Sequence, residues 1–467
     1  MPSKQTPWQA EPSAADSLPR AGSLRRSGRV ARALRLAMTP RIAHSIEWDF
    51  VPGSRAPEIR ATWCRFGLTI DGKPVTRVID QRAGAWRDHI FVPLYPVTEW
   101  IAANWWPLLH EVEGRPGFVQ RHLLRLGREG YAFPELTIVP LGTQTDLRWT
   151  ERDFPPSLAF VGSGSASLER DEVKAWLESW VETVVARLEQ QGLHDTPLQQ
   201  EWQRIQATPA DEAEFCIASG TLGLDPYAAT DSEAAAILDA AGRVPPSWQD
   251  EFFCAASVGR LASQVSELGL ARTAIAQHRM DLSRIRQLRE QATALTLTGT
   301  PWEQGYQAAT WLRGCLSLRE AALPQDDALG RALKLETLPL VELQQPQGPS
   351  WMDAAAEIDE LGRGAFIAGS RYAESRRFAF CRALCDVLTA PATASALVTS
   401  ARTARQKRNR AFAAEFLAPA TWLRRQFPDG QAGDEHIADC AHDLGVSTEV
   451  LRRQLENHCI AALTDHA

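Results

Sequence analysis

Short apolar runs typical of strands occur between residues 41 and 165 of this chain. From about residue 166 the apolar residues instead have the spacing typical of helices. Residues 61–70 (ATWCRFGLTI) form one such run, and the DGK sequence at 71–73 is typical of a turn. From residue 171 to residue 191, apolar side chains recur three and four positions apart, which indicates a helix. We therefore expect a mostly helical α+β chain with a β-rich domain at its N-terminal end.

The length and composition indicate several folded domains. The chain has 467 residues, of which 44% are hydrophobic and 23% charged, enough for about three domains with their own cores. We expect a tail at 1–40, a β-rich domain at 41–165, a helical domain at 166–345, a linker at 344–350 and a C-terminal domain at 350–467. No run reaches the roughly 18 consecutive apolar residues that span a bilayer, so we expect no membrane contact.

Eight cysteines are scattered along the chain without a CxxC pair. Zinc ribbons need paired spacings, and disulfide frameworks are typical of short secreted chains. This pattern favours reduced, buried thiols and a cytoplasmic location.

The first 40 residues are basic, although the whole chain has a net charge of −7. Seven basic residues stand against two acidic ones there, and residues 23–38 have the pattern of a basic amphipathic helix, as in organelle transit peptides. We expect a disordered extension. A targeting helix and a translation start at Met38 are the alternatives.

Common catalytic motifs are missing from the sequence. The zinc motif HExxH, the nucleophile motif GxSxG and the phosphate-binding Walker loop do not occur. His436, Cys440 and His442 lie close together, and the first two are four residues apart, which allows two ligands on one helix. A third ligand is not evident, so we expect no cofactor, and zinc only if these residues supply the ligands.

Helices alternate with short strands in the C-terminal part. We expect a helix that contains residues 354–361, a strand at 364–368, a helix at 375–388 followed by a loop, a helix at 403–417, and two further helices on either side of Gly445.

Three strings in this part resemble the ImmA/IrrE family of zinc endopeptidases. They are SRRFAFCRALCDVL at 375–388, RQKRNRAFAAEFLAP at 405–419 and DEHIADCAHDLGVSTEVLRRQLENH at 434–458. In that family an RRF-type segment leads into the HExxH helix, a second helix carries a glutamate ligand and ends in a FAAELLMP-like string, and a terminal segment reads roughly VS…RLEN. The resemblance implies a zincin-like C-terminal domain.

The resemblance also implies where the zinc site would lie, and other residues stand at those positions. The HExxH window falls on Arg382 and Ala383, with Asp386 in place of the second His, and the glutamate ligand falls on Gln406. Arginine repels Zn²⁺, alanine cannot carry a proton, and a neutral amide is a poor zinc ligand. We therefore predict a family scaffold with an erased zinc site and no peptidase activity.

Basic residues are concentrated around the same strings. Between residues 371 and 425 there are eleven basic residues and three acidic ones. A solvated helix face would explain this concentration, and so would an acidic protein partner or nucleic-acid phosphate. The candidate partner-binding residues are Arg405, Lys407, Arg408 and Arg410.

The C-terminal segment 437–456 also fits a helix-turn-helix that binds DNA. Gly445 would lie in the turn, and Arg452 and Arg453 would lie on the second helix. Two glutamates on that helix reduce its positive charge.

The hypothesis is a cytoplasmic, bacterial regulatory or interaction protein. Active members of the ImmA/IrrE family cleave helix-turn-helix repressors of mobile elements or stress regulons, so the resemblance implies a protein partner of that kind, bound without cleavage. One alternative is an active zinc endopeptidase with ligands at His436, Cys440 and His442. Another is a DNA-binding regulator that uses residues 437–456. Zinc content separates the first two, and salt-dependent binding to DNA would favour the third.

Overall fold

The structure is a computed structural model that describes residues 40–50, 56–154, 157–342, 351–370, 372–390 and 394–463. In it, 51% of the described residues are helical and 20% lie in strands, so the α+β class is confirmed. Residues 1–39 of the predicted tail and the linker predicted at 344–350 lie outside the described residues. Among the described helices, none combines the length and the apolar character needed to cross a bilayer.

Eleven of the described strands precede the first long helix, and they form three antiparallel sheets. The strands are β1 (Ile42–Trp48), β2 (Trp63–Ile70), β3 (Lys73–Pro74), β4 (Val78–Asp80), β5 (Ala85–Arg87), β6 (Ile90–Pro93), β7 (Glu135–Pro140), β8 (Gln144–Thr150), β9 (Arg152–Phe154), β10 (Leu158–Phe160) and β11 (Gly164–Glu169). One sheet contains β1, β2, β3 and β6, the second has the order β5-β4-β10-β9, and the third β11-β8-β7. Every second residue of β2 is buried, as expected for a strand with one face on the core.

Six helices pack with these sheets. They are α1 (Pro57–Ala61), α2 (Tyr95–Ala103), α3 (Trp105–His110), α4 (Phe118–His122), α5 (Arg170–Gln190) and α6 (Pro197–Ala207). Helices α2 and α3 are separate, because Pro107 lacks an N–H and its ring would collide with the carbonyl four residues earlier in a continuous helix. Side chains of α5 and α6 share the apolar core of the strands.

Seven helices and two short strands follow up to residue 342. They are α7 (Ala210–Thr221), α8 (Asp231–Arg243), α9 (Pro246–Ala255), α10 (Leu261–Gln277), β12 (Met280–Asp281), α11 (Ser283–Ala292), α12 (Pro301–Cys315), α13 (Asp326–Ala332) and β13 (Leu340–Glu342). Helix α9 ends at Ala255, and Arg115 donates to its last carbonyl groups, at Phe253 and Cys254, and to that of Ala256.

The C-terminal part contains five strands and five helices. They are β14 (Met352–Ile358), β15 (Arg363–Ala368), α14 (Ala373–Thr389), β16 (Ser395–Thr399), α15 (Ala404–Leu417), α16 (Ala420–Gln426), β17 (Gln431–Ala432), α17 (Asp434–Leu444), α18 (Thr448–Asn457) and β18 (Ala462–Leu463). In its main sheet β15 is central, with β14 on one side and both β12 and β13 on the other, and β16 pairs with the free side of β14.

Two predictions for this sheet are wrong. The segment expected to be helical at 354–361 is mostly strand β14, and the loop expected after residue 388 contains strand β16. Helix α14 covers one face of the sheet, while α9 and α10 cover the other. A strand that is buried on both faces shows little alternation of apolar and polar residues. The alanines of β14 therefore resemble those of a helix in the sequence.

The helices between residues 166 and 335 divide their apolar side chains among three cores. Those of α5 and α6 pack with the first eleven strands. Those of α8, α9 and α10 cover one face of the C-terminal sheet. Those of α11, α12 and α13 join the core beneath its other face, around α14 and α15.

Candidate functional site

The residues at the predicted zinc positions lie together between α14 and α15. Arg382 and Asp386 are one turn apart on α14, and Gln406 lies in the first turn of α15, whose N-terminus is capped by Thr403. All of these side chains are buried. The site is therefore a polar cluster inside the protein and needs internal partners for each charge.

Arg382 joins four elements. Its Nη1 donates to Asp353 Oδ2 at 2.6 Å, and its Nη2 donates to Gln406 Oε1 at 2.8 Å and to the carbonyl oxygen of Thr399 at 2.7 Å. Helix α14 is thereby connected to β14, to α15 and to the end of β16. A single guanidinium makes these connections.

Asp386 accepts hydrogen bonds from two arginines of α15. Arg405 Nε lies 2.7 and 2.8 Å from its two carboxylate oxygens, and Arg408 Nη2 lies 3.2 Å from one of them. Burial lowers the pKa of Arg405, but the charge and hydrogen bonds of Asp386 outweigh it and leave the pKa above its ordinary value. The Arg405 guanidinium therefore remains cationic.

Gln406 connects the cluster to Glu251 of α9. Its Nε2 donates to Glu251 Oε2 at 3.0 Å and to the carbonyl oxygen of Leu397 at 2.9 Å, and Thr403 Oγ1 donates to Glu251 Oε1 at 2.9 Å. Burial raises the pKa of Glu251. Glu251 was not predicted, because no sequence pattern connects it with residues 152 and 155 positions later.

The four predicted partner-binding residues are largely engaged within the chain. Arg405 and Arg408 hold Asp386, and Lys407 Nζ lies 3.5 Å from Asp146 Oδ2. Arg410 Nη2 contacts the carbonyl oxygens of residues 399–401 at 3.0 to 3.4 Å. Burial lowers the pKa of Arg410 to about 10. Of the described carboxylates, none lies within 4.0 Å of a nitrogen of Arg410.

The alternative zinc residues point in different directions. On α17, Cys440 is buried, whereas His436 and His442 are exposed, and the His436 ring packs at 4.4 Å from that of Phe427. Within the described ranges no group of three or more His, Cys, Asp and Glu side chains is placed to hold a metal ion.

The helix-turn-helix candidate consists of α17 and α18, with Gly445 in the left-handed conformation between them. Arg452 pairs with Asp434 at 2.6 Å, and Arg453 pairs with Glu449 at 2.7 Å. Both arginines of the second helix thus have acidic partners on the same two helices.

A surface groove runs past the Arg382 cluster. One part, of about 420 Å³, is lined by Arg382 and Asp353, and the other, of about 850 Å³, lies between α12, α15 and α18. Phe378 and Val450 line both parts, so the two are neighbours that share a wall. Trp302, 48% exposed, also lines the larger part. Sequence reasoning missed the groove, because its walls come from helices that are far apart in the chain.

The cluster can fix the orientation of α14 and α15, and the groove offers apolar and aromatic contacts to a ligand. An arginine at position 382 cannot ligate a metal or accept a proton from water. Comparison with protein-family models, with curated proteins and with solved structures finds no match to this chain.

Proposed function

We propose that this protein is a non-catalytic regulator that binds a protein partner on an ImmA/IrrE-like scaffold. One observation carries the proposal. Arg382, Asp386 and Gln406, which the sequence resemblance assigns to the zinc positions, lie side by side between two helices. Residues 24 positions apart in sequence meet there, as the ligands of a metallopeptidase do.

The charges at these positions support binding without cleavage. Arg382 carries the positive charge inside the cluster, and Asp386 is shared by two further arginines. A divalent cation would meet several positive groups within a few ångströms, and Coulomb repulsion at short range is strong in a buried site. The general-base position holds Ala383, which has no group to activate water.

The groove beside Arg382 provides the surface for a polypeptide. Interfaces rely on a few buried aromatic side chains, and Trp302, Tyr306 and Phe378 lie along this groove. The partner would be a repressor or another regulator of stress response or mobile elements. We place the complex in the bacterial cytoplasm, where the cysteines would stay reduced.

The first test measures zinc per chain by elemental analysis of untagged protein after incubation with zinc. We expect a value near zero. A stoichiometry near one would contradict the proposal and favour the endopeptidase alternative, and the ligands would then be sought by substituting His436, Cys440 and His442.

The second test selects peptides from a random phage-displayed library on the full chain. Selected peptides should be recovered uncleaved, and Trp302→Ala should weaken their binding by about 2 kcal/mol, roughly thirtyfold, because a central aromatic contact is lost. Trp86→Ala is the matched control, since Trp86 is 65% exposed and lies outside the groove. Cleaved peptides, or equal binding by wild type and Trp302→Ala, would contradict the proposal.

A further inference from the structure

A second cavity lies where the three cores meet, on the other side of α15. It has a volume of about 300 Å³, and its walls come from the β7–β8 turn, the start of α5, and helices α3, α7, α9, α12 and α15. Small-molecule sites are often found in such positions between domains, and this volume suits a small metabolite.

Three arginines line this cavity, and they have more N–H donors than the described residues supply acceptors. The Arg170 side chain, 33% exposed, makes no hydrogen bond to a described residue, and its nearest carboxylate, that of Asp171, is 3.9 Å away. Arg405 and Arg408 share the single carboxylate of Asp386. Each guanidinium carries five N–H donors, so many remain for a ligand.

Of the other titratable groups of the cavity, Asp250 and Glu251 lie close enough to Arg405 to offset part of this charge. Burial lowers the pKa of His110 to about 3, so the ring is neutral and can accept or donate one hydrogen bond. Glu251 is occupied by Thr403 and Gln406, and burial raises the pKa of its carboxyl. Asp250 is exposed to solvent.

We propose that this cavity binds a small molecule with an oxyanion group, a carboxylate or a phosphate, through Arg170, Arg405 and Arg408. Arginine recognises both groups through paired N–H donors, and a partly enclosed site strengthens such bonds. The ligand would touch all three cores at once and so hold them in one arrangement. This inference does not depend on the proposed function, since the partner groove is a different cavity.

Isothermal titration calorimetry on the full chain tests the inference, with inorganic phosphate and malonate as probes against chloride of equal ionic strength. We expect saturable binding of at least one probe at one site per chain, and the probe that binds identifies the oxyanion. Arg170→Gln should weaken that binding by about tenfold or more, because a charged hydrogen bond is lost. The Arg170→Gln variant should keep its fold, since the Arg170 side chain makes no hydrogen bond to any of the described residues.

Two further variants complete the test. Arg243→Gln is the matched control, because the Arg243 side chain is 52% exposed, pairs with Asp239 on α8 and does not line the cavity. Ile217→Trp fills the cavity without removing a charge and should also prevent binding. The inference is overturned if neither probe binds, or if Arg170→Gln binds the probe as tightly as Arg243→Gln does.

Discussion

Asp386 forms more ion pairs than any other residue of the α14–α15 cluster. Its side chain is fully buried and accepts hydrogen bonds from two guanidinium groups of α15. A buried carboxylate is tolerated only when its partners replace the lost water, and here two cations do so. Asp386 is the one described carboxylate within 4.0 Å of a nitrogen of Arg405 or Arg408, so both would lose their ion pair on its removal.

We expect Asp386→Asn to lower the free energy of unfolding by about 3 kcal/mol, at the lower end for a broken buried ion pair because both arginines keep some contact with solvent. Urea unfolding at neutral pH measures the change. Asp239→Asn removes an exposed i,i+4 pair with Arg243 and should cost less than about 1 kcal/mol. Equal effects of the two substitutions would show that the Asp386 cluster adds no more stability than a surface pair.

At the scale of secondary-structure elements, helices α12 and α15 approach each other closely at Gly305. Gly305 of α12 lies against the backbone of α15, and a Cβ at this position would collide with the carbonyl oxygen of Arg408 and come within 2.8 Å of Ala411 Cβ. The absence of a side chain at 305 therefore sets how closely the two helices approach. This approach also shapes the larger part of the groove.

Gly305→Ala should destabilise the protein by about 1 to 3 kcal/mol, since neither backbone can move without disturbing a packed core. Gly314→Ala on the same helix is the matched control. A Cβ there meets no atom within 4 Å, so the higher helix propensity of alanine should leave stability unchanged or raise it by up to about 1 kcal/mol. Urea unfolding of both variants decides whether the close approach or the helix itself limits stability.

Prediction of elements from sequence succeeded for most of the elements it named and failed for strands β14 and β16 of the C-terminal sheet. Strand β2 alternates buried and exposed residues, and helix α5 shows a clear apolar stripe, so both were predicted. The alanines of β14 show neither pattern in the sequence. Their strand conformation depends on pairing with β15 and β16 and on packing against helices on both faces. The spacing of apolar residues along the chain does not show which distant segments pair, and this explains the error.

At the scale of the whole molecule, a few buried polar contacts join the N-terminal core to the helices beyond it. Arg115 donates to three carbonyl oxygens at the end of α9 at 2.7 to 3.2 Å. The amide of Ala404, at the start of α15, donates to the carbonyl oxygen of Leu141 at 2.8 Å. These contacts fix the N-terminal core against α9 and α15.

We expect Arg115→Leu to cost about 2 to 3 kcal/mol, because three carbonyl groups lose a charged donor. The N-terminal core should then unfold at a lower temperature than the rest, so calorimetry should show a broader or divided transition. Arg204→Leu is the control, since the Arg204 side chain is 56% exposed on α6. A single transition at the wild-type temperature would mean that other contacts alone hold the cores together.

The candidate site could be predicted only within its C-terminal half. The resemblance pointed to Arg382, Asp386 and Gln406, and these residues are adjacent in the structure. Glu251 and Arg170 come from earlier segments whose positions depend on how the three cores pack. No local pattern marks such residues, so the polar contacts across the cores could not be foreseen.

The hydrogen bonds at strand β16 have a consequence for self-association. Of the described strands only β14 pairs with β16, and an open sheet edge can recruit a strand from another molecule and start aggregation. The carbonyl oxygens of Leu397 and Thr399 already accept hydrogen bonds from Gln406, Arg382 and Arg410. Helices α9 and α15 also cover the strand, and all five of its residues are buried. The side chains that organise the site thus keep the sheet from growing between molecules at high concentration.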